Sequence, residues 1–233
     1  MDPRKLFSEF GLDQRLKCTT CIYCGRDADT SDHIPARILL DDPLPNHLAC
    51  VPACSNCNRG FSSDEEYLAS LLDCVISGTT ELQSLTRKKI RKSLKHSPGL
   101  RARLEAAMTI DEARNRVWKP EMARVESVII KTARGHAFYE LSDVPHGNPE
   151  VIQIRPITLM SSADREIFED AGPSRLWPEI GSRAMLRAAG ELNDHQTVGP
   201  WVIVQPGRYR YSVDPVGAVS IVLSEYLACL VQW

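Results

Sequence analysis

Several features that would assign the chain to a broad class are missing from its sequence. It contains no run of eighteen apolar residues, and the first seventeen residues lack the uninterrupted apolar core of a secretory signal. We therefore expect no membrane partner and a cytoplasmic location. A net charge of -2 and a pI of about 6.3 exclude the broad positive field of many nucleic-acid-binding proteins, so any such binding must be local.

Common catalytic patterns are absent as well. The sequence has no Gly-Lys-Ser/Thr phosphate loop, no Gly-x-Ser-x-Gly elbow, no His-Glu-x-x-His pattern and no internal repeat. A hydrophobic fraction of 43% and a charged fraction of 25% nevertheless predict a chain that folds. Four histidines are scattered without partners, and we expect them on the surface or in the core: His96, His136, His146 and His195.

Cysteine, by contrast, is concentrated in one segment. Six of the eight cysteines lie within forty residues: Cys18, Cys21, Cys24, Cys50, Cys54 and Cys57. In a reducing compartment this crowding indicates metal binding rather than disulfides. The pairs Cys21-x-x-Cys24 and Cys54-x-x-Cys57 predict a tetrahedral zinc site. With four thiolates and no open position, that zinc is structural.

The choice of cysteines has one alternative. Cys18 stands three positions before Cys21 and could pair with it. We favour Cys21 with Cys24 because Gly25 supplies the backbone freedom of a knuckle turn, whereas Thr-Thr follows Cys18. We expect the remaining cysteines to be small apolar fillers: Cys18, Cys50, Cys74 and Cys229.

Helical patterns begin after the cysteines. Ser63 and Glu66 form a capping box, which predicts a helix from about Asp64 to Ser77 that Gly78 closes. A second helix is predicted from about Glu81 to His96, and a third follows Ser97-Pro98-Gly99 through about Ala113. Between Arg87 and Arg103 the chain has eight Lys or Arg and no acid. This run is either a solvated helix face or a phosphate-contacting patch.

The rest of the chain changes from helical to strand patterns. Pro120 opens a predicted helix with apolar steps of three or four through His136, although Val128-Ile129-Ile130 would also suit a strand. From about Glu150, β-branched and aromatic runs predict a small sheet. The expected fold class is α+β: a zinc-bound module with its lead-in at 1–78, a helical segment at 79–149 and a β-rich region of unknown role at 150–233.

A resemblance becomes specific between the two cysteine pairs. Asp32-His33-Ile34-Pro35 stands between them, and Asn58 directly follows Cys57. This order resembles the HNH endonuclease superfamily, and the string VPACSNCNRGFS at 51–62 with DEEY at 64–67 is similar to a bacterial branch of largely uncharacterised HNH proteins. The resemblance covers about residues 21–67, with weaker similarity at 131–135. It implies a ββα-metal module: a hairpin that has the Asp-His pair on its first strand, packed on a helix that begins near the second cysteine pair.

The resemblance also implies a catalytic site. Asp32 and Asn58 would hold one Mg²⁺ or Mn²⁺ through hard oxygen ligands. His33 would take a proton from the attacking water, while the ion stabilises the developing 3′ alkoxide. Arg37 and Arg59 would clamp neighbouring phosphates.

The sequence departs from the family at one position. Related sequences tend to have an Asn seven residues before the third zinc cysteine, where it braces the loop and orients the catalytic His. Here that position is His47, with Asn46 beside it. Either the alignment shifts by one residue or His47 takes the bracing role.

Three functions compete at this stage. The first is an endonuclease that cuts nucleic acid, DNA in preference to RNA, in phage defence or mobile-element biology. The second is a catalytically inactive zinc module that binds nucleic acid. The third is a structural module that presents the carboxy-terminal region to a protein partner or to a second copy. The presence of Asp32, His33 and Asn58 favours the first, because the cysteines alone would suffice for the other two.

Overall fold

A computed structural model describes residues 20–170 and 178–233 of the chain. These residues form an α+β structure, in agreement with the predicted fold class. The helices are α1 (Ser55–Ser77), α2 (Lys88–His96), α3 (Pro98–Ala107), α4 (Met122–Leu141), α5 (Ser162–Asp170) and α6 (Arg183–Ala188). Within the described ranges, no helix combines the length and apolar character needed to span a bilayer.

The strands form two hairpins and one larger sheet. The hairpins are β1 (Thr30–Ile34) with β2 (Ala49–Ala53), and β3 (Met108–Ile110) with β4 (Arg116–Trp118). The remaining strands are β5 (Val151–Pro156), β6 (Gln196–Val198), β7 (Trp201–Gln205), β8 (Tyr209–Asp214), β9 (Ala218–Leu223) and β10 (Leu227–Gln232). They form an antiparallel sheet in the order β5-β10-β9-β8-β7-β6, which confirms the predicted carboxy-terminal sheet.

The described residues group into two compact units. The first comprises the residues up to Arg59 together with Ile129–Trp233, and the second comprises Gly60–Val128. The predicted boundaries at 78 and 149 follow changes of composition along the chain, whereas these units follow contacts in space.

In the first unit, the β1–β2 hairpin packs against the second half of α4. Ile34 and Val51 belong to a buried apolar cluster with Phe138 of α4. Gly135 permits this packing, because a Cβ at this position would lie 1.9 Å from the Cδ1 atom of Ile34. The helix predicted after Pro120 is therefore confirmed, and it brings residues 131–135 to the hairpin.

The large sheet also packs on α4 through one buried histidine. The Nε2 atom of His136 lies 2.8 Å from the hydroxyl of Tyr209, and its ring stacks on Tyr211 with centroids 3.7 Å apart. His136 is thus a core residue, as predicted, but the expectation that it has no partner is wrong. Burial holds the pKa of His136 well below its usual value, so the ring is neutral.

In the second unit, polar contacts join the helices. The hydroxyl of Tyr67 accepts a hydrogen bond from the backbone N–H of Glu121 at 2.8 Å, and Arg124 pairs with Asp64 at 2.6 Å. On α1, Asp73 accepts hydrogen bonds from the hydroxyl of Thr86 at 2.6 Å and from the next backbone N–H at 3.3 Å. These two bonds fix the segment that enters α2.

The first helix begins nine residues earlier than the capping box predicts. Asp29 accepts hydrogen bonds from the backbone N–H of Ser55 at 2.6 Å and from its hydroxyl at 2.8 Å. A carboxylate brought from elsewhere in the chain thus satisfies the helix terminus, and Ser63 and Glu66 lie inside the helix. Its end at Ser77, followed by Gly78 at φ 64°, is as predicted.

Two later boundaries are also wrong. The helix predicted from Glu81 starts at Lys88, because Asp73 holds the preceding residues in a non-helical segment. The helix predicted through Ala113 ends at Ala107 and is followed by the β3–β4 hairpin. In the turn of this hairpin, Asp111 accepts the backbone N–H of Asn115 at 2.7 Å, a local bond that competes with helix formation.

Candidate functional site

Four of the cysteines come together as predicted. The ligand atoms of Cys21, Cys24, Cys54 and Cys57 all lie within 4.8 Å of one another. The first pair sits on a turn in which Gly25 has φ 72° and its N–H donates to the carbonyl of Cys21 at 2.8 Å. The second pair flanks the start of α1. Four thiols at this spacing form a donor set that suits a structural tetrahedral metal such as zinc.

The environment of Cys54 favours its ionised form. The backbone N–H of Cys57 donates to the Cys54 sulfur at 3.4 Å, and this hydrogen bond is the main reason that the pKa of Cys54 falls to about 7. Because a metal binds the thiolate, this sulfur is prepared for coordination near neutral pH.

The other cysteines do not share one role. Cys74 and Cys229 are fully buried fillers, as predicted. Cys18, the alternative ligand, lies outside the described residues. Cys50 is half-buried rather than core, and its sulfur lies 2.8 Å from the Nδ1 atom of His33, so its prediction as an apolar filler is wrong. The Cys50 thiol has a polar contact with an imidazole, which an apolar filler would not have.

Asp32 lies on β1 with its side chain buried. Its Oδ2 atom accepts a hydrogen bond from the hydroxyl of Tyr23 at 2.7 Å and pairs with the ammonium group of Lys131 at 2.7 Å. Both charged side chains are nearly inaccessible, at 7% exposure for Asp32 and 2% for Lys131. Lys131 stands one helical turn before Gly135, so the close approach of α4 to β1 carries the ammonium to the carboxylate.

Asn58 lies in the first turn of α1 beside the same strand. Its Nδ2 atom donates to the carbonyl of Ser31 at 3.2 Å and lies 3.5 Å from the hydroxyl of Thr30. These bonds tie α1 to the residues that immediately precede Asp32. They also use the amide nitrogen, so the amide oxygen is the atom that Asn58 has to offer a cation.

The oxygen donors of Asp32 and Asn58 have the chemistry that a small divalent ion prefers. Carboxylate and amide oxygens are hard ligands of the kind that Mg²⁺ takes. Hydrogen bonds from Tyr23 and Lys131 to one oxygen of Asp32 resemble the partners that orient carboxylate ligands in metal sites, and they leave the Oδ1 atom as the ligand atom.

The remaining predicted site residues are exposed. His47 lies in the turn before β2, Arg37 begins a short 3-10 helix after β1, and Arg59 donates through its Nε atom to the carbonyl of Ser55 at 3.2 Å. The residue opposite His33 in the hairpin is Cys50, three positions after His47. The role of His47 in bracing the loop and orienting His33 therefore stays a prediction.

Comparison with known proteins adds no relative. No family model, curated protein or solved structure matches this chain.

Among the described residues, sequence reasoning missed the side-chain partners of Asp32 and His33: Lys131, Tyr23 and Cys50. The weak resemblance at 131–135 marked the segment that contains Lys131, but no local pattern shows that it reaches Asp32, about one hundred residues away. Cys50 could have been found from the hairpin register, since it is the cross-strand neighbour of His33.

The basic run forms a separate feature in the second unit. Helix α2 buries Ile90 and Leu94 and exposes Lys88, Lys92 and Lys95. Its three exposed lysines form one cationic face, defined here as the α2 lysine face. Either a solvated helix face or a phosphate-contacting patch would have this arrangement.

Proposed function

We propose that the chain is an HNH-type endonuclease that hydrolyses phosphodiester bonds in nucleic acid, DNA in preference to RNA, with a structural zinc ion and one catalytic divalent ion. The observation that carries the proposal is the placement of His33 and Asp32 on β1 and of Asn58 in the first turn of the adjoining helix. The four-cysteine cluster brings the turn that precedes β1 to the start of that helix.

His33 is the group that moves a proton. Its neutral imidazole accepts a proton from water, and the resulting oxygen nucleophile attacks phosphorus as the bond from phosphorus to the 3′ oxygen breaks. Asp32 and Asn58 would hold a Mg²⁺ or Mn²⁺ ion, which would supply neutralisation of the charge on that leaving oxygen. Arg37 and Arg59, both exposed, bind the neighbouring phosphates.

One observation favours a second candidate function. A carboxylate that is 7% exposed and paired with Lys131 has a structural role that needs no divalent ion. The second candidate is therefore a catalytically inactive zinc module that binds nucleic acid through its arginines and lysines.

The test is incubation of the purified chain with plasmid, linear DNA and RNA in Mg²⁺ or Mn²⁺. The variants are His33→Ala, Asp32→Asn and Asn58→Ala, and His146→Ala is the matched control because His146 is exposed in the loop between α4 and β5. We expect cleavage by the wild type and the control, and loss on the order of 100-fold or more in His33→Ala. Salt-dependent binding without cleavage would favour the inactive module, and cleavage that all three variants retain would contradict the proposed site.

A further inference from the structure

The hairpin register places a thiol beside the predicted general base. His33 and Cys50 are directly opposite in the antiparallel β1–β2 pair, so their side chains lie on the same face. The Nδ1 atom of His33 and the sulfur of Cys50 are 2.8 Å apart. The sulfur also lies 3.8 Å from the carbonyl oxygen of Leu48, which can accept a hydrogen bond from the thiol.

These two contacts distinguish the two tautomers of neutral His33. If the thiol donates to Leu48, the sulfur accepts a hydrogen bond from the Nδ1–H group of His33, and Nε2 keeps the lone pair that a general base needs. If the thiol instead donates to Nδ1, Nε2 holds the ring proton and His33 cannot take one from water. The contacts of the sulfur with His33 and with Leu48 can both be hydrogen bonds only in the first arrangement.

We propose that Cys50 is a positioning residue for His33, whose sulfur accepts the Nδ1–H hydrogen bond and holds the imidazole with Nε2 ready to accept a proton. This inference rests on the proposed nuclease function, in which His33 is the base. It assigns to Cys50 the orienting role that the sequence pattern suggests for His47 or Asn46. A thiol sulfur is a weak acceptor, so a hydroxyl of similar size should replace it.

The direct test reads the ring itself rather than the reaction. Nitrogen-15 NMR of histidine-labelled protein reports the tautomer of His33, with its signals assigned by their absence in His33→Ala. We expect the Nδ1–H form to predominate in the wild type and in Cys50→Ser, and to lose its dominance in Cys50→Ala. Zinc content and thermal unfolding of each variant show that the fold is retained.

The activity arm separates positioning from packing. We expect kcat of Cys50→Ala to fall on the order of 10-fold to 100-fold, as for other groups that orient a functional histidine, with KM unchanged. Cys50→Ser should recover most of the rate. A packing role alone would not restore the rate through a hydroxyl.

The outcomes distinguish the two proposals. An unchanged tautomer ratio in Cys50→Ala, with cleavage retained, overturns the role of Cys50 and leaves the nuclease intact. A changed ratio in a chain that cleaves no nucleic acid overturns the nuclease, and with it the catalytic purpose assigned to this contact.

Discussion

Asp32 and Lys131 form an ion pair in which both side chains are almost inaccessible to solvent. Removing two charges from solvent is costly, and their close mutual contact and the hydrogen bond from Tyr23 offset part of that cost. The pair holds the Asp32 side chain in one orientation. Whether Asp32 serves a metal or only the fold, its carboxylate depends on Lys131.

Lys131→Met should therefore destabilise the protein more than loss of the whole pair does. The single change leaves a buried carboxylate without its cation, at a cost of about 3–5 kcal/mol in the free energy of unfolding. The double variant Asp32→Asn with Lys131→Met removes both charges and should recover much of that loss. Urea unfolding of the three proteins measures the difference, and a single variant as stable as the wild type would contradict the account.

His136 should make the fold sensitive to acid. Its pKa in the folded state lies well below that of the unfolded chain, chiefly because of burial and then because of the positive charges of His195 and Lys131. As the pH falls, His136 therefore binds a proton in the unfolded state before it does so in the folded state. The free energy of unfolding then falls as the pH drops below about 6.5.

The check for His136 is a comparison of unfolding free energies between pH 7 and pH 5. His136→Gln cannot titrate, so its stability should fall less steeply over this window than that of the wild type. Some slope should remain, because burial also lowers the pKa of His195. Equal slopes in the two proteins would show that His136 does not control the acid response.

At the scale of elements, the contact of α4 with β1 depends on one glycine. Gly135→Ala adds a methyl group 1.9 Å from the Cδ1 atom of the buried Ile34 side chain. Overpacking of this kind costs about 1–3 kcal/mol, while alanine in a helix gains about 1 kcal/mol over glycine. We expect a net loss of stability.

Two companion variants test the cause of that loss. Ile34→Val removes the Cδ1 atom, so Gly135→Ala should cost less in that background than in the wild type. Gly60→Ala is the matched control, because Gly60 is exposed in α1 with no atom within 4 Å of its added Cβ, and it should raise stability by up to about 1 kcal/mol. Equal stability gains at both glycines would exclude close packing as the role of Gly135.

Elements with strong local signals were predictable. The end of α1 at Gly78, helix α4 and the carboxy-terminal sheet follow from apolar periodicity and turn residues. The start of α1 was not predictable from local signals, because its cap is Asp29, which is distant in sequence from Ser55. The β3–β4 hairpin was missed since Asp111 and Asn115 form a short turn within a stretch of good helix formers.

At the scale of the whole molecule, a net charge of -2 leaves little general attraction for nucleic acid. The α2 lysine face is a local source of positive charge in the second unit. If it contacts phosphates, each lost contact should reduce the dependence of log affinity on log salt by about 0.9.

Lys88→Gln with Lys92→Gln should therefore lower the salt slope of DNA binding by up to about 2. The charge-matched control is Arg114→Gln with Lys119→Gln, two exposed positions in the same unit. Fluorescence anisotropy at several salt concentrations measures both slopes. The same slope in both double variants would favour a solvated helix face over a phosphate-contacting patch.

The sequence predicted the residues of the candidate site but not the contacts between these residues and the rest of the fold. The cysteine spacing identified the four-sulfur cluster, because each knuckle is local and the donor chemistry is specific. The partners of the site residues, Lys131 for Asp32 and Cys50 for His33, come from tertiary packing and strand register. Neither contact leaves a pattern in neighbouring residues.

The proposed function requires the imidazole of His33 to drive hydrolysis of a phosphodiester bond. Its most direct test is the single-turnover rate of plasmid cleavage in Mg²⁺ by the wild type and by His33→Ala, with one zinc per chain verified in each preparation. We predict a rate at least about 100-fold lower in the variant at unchanged DNA affinity. Equal rates in two zinc-loaded, folded proteins would contradict the account.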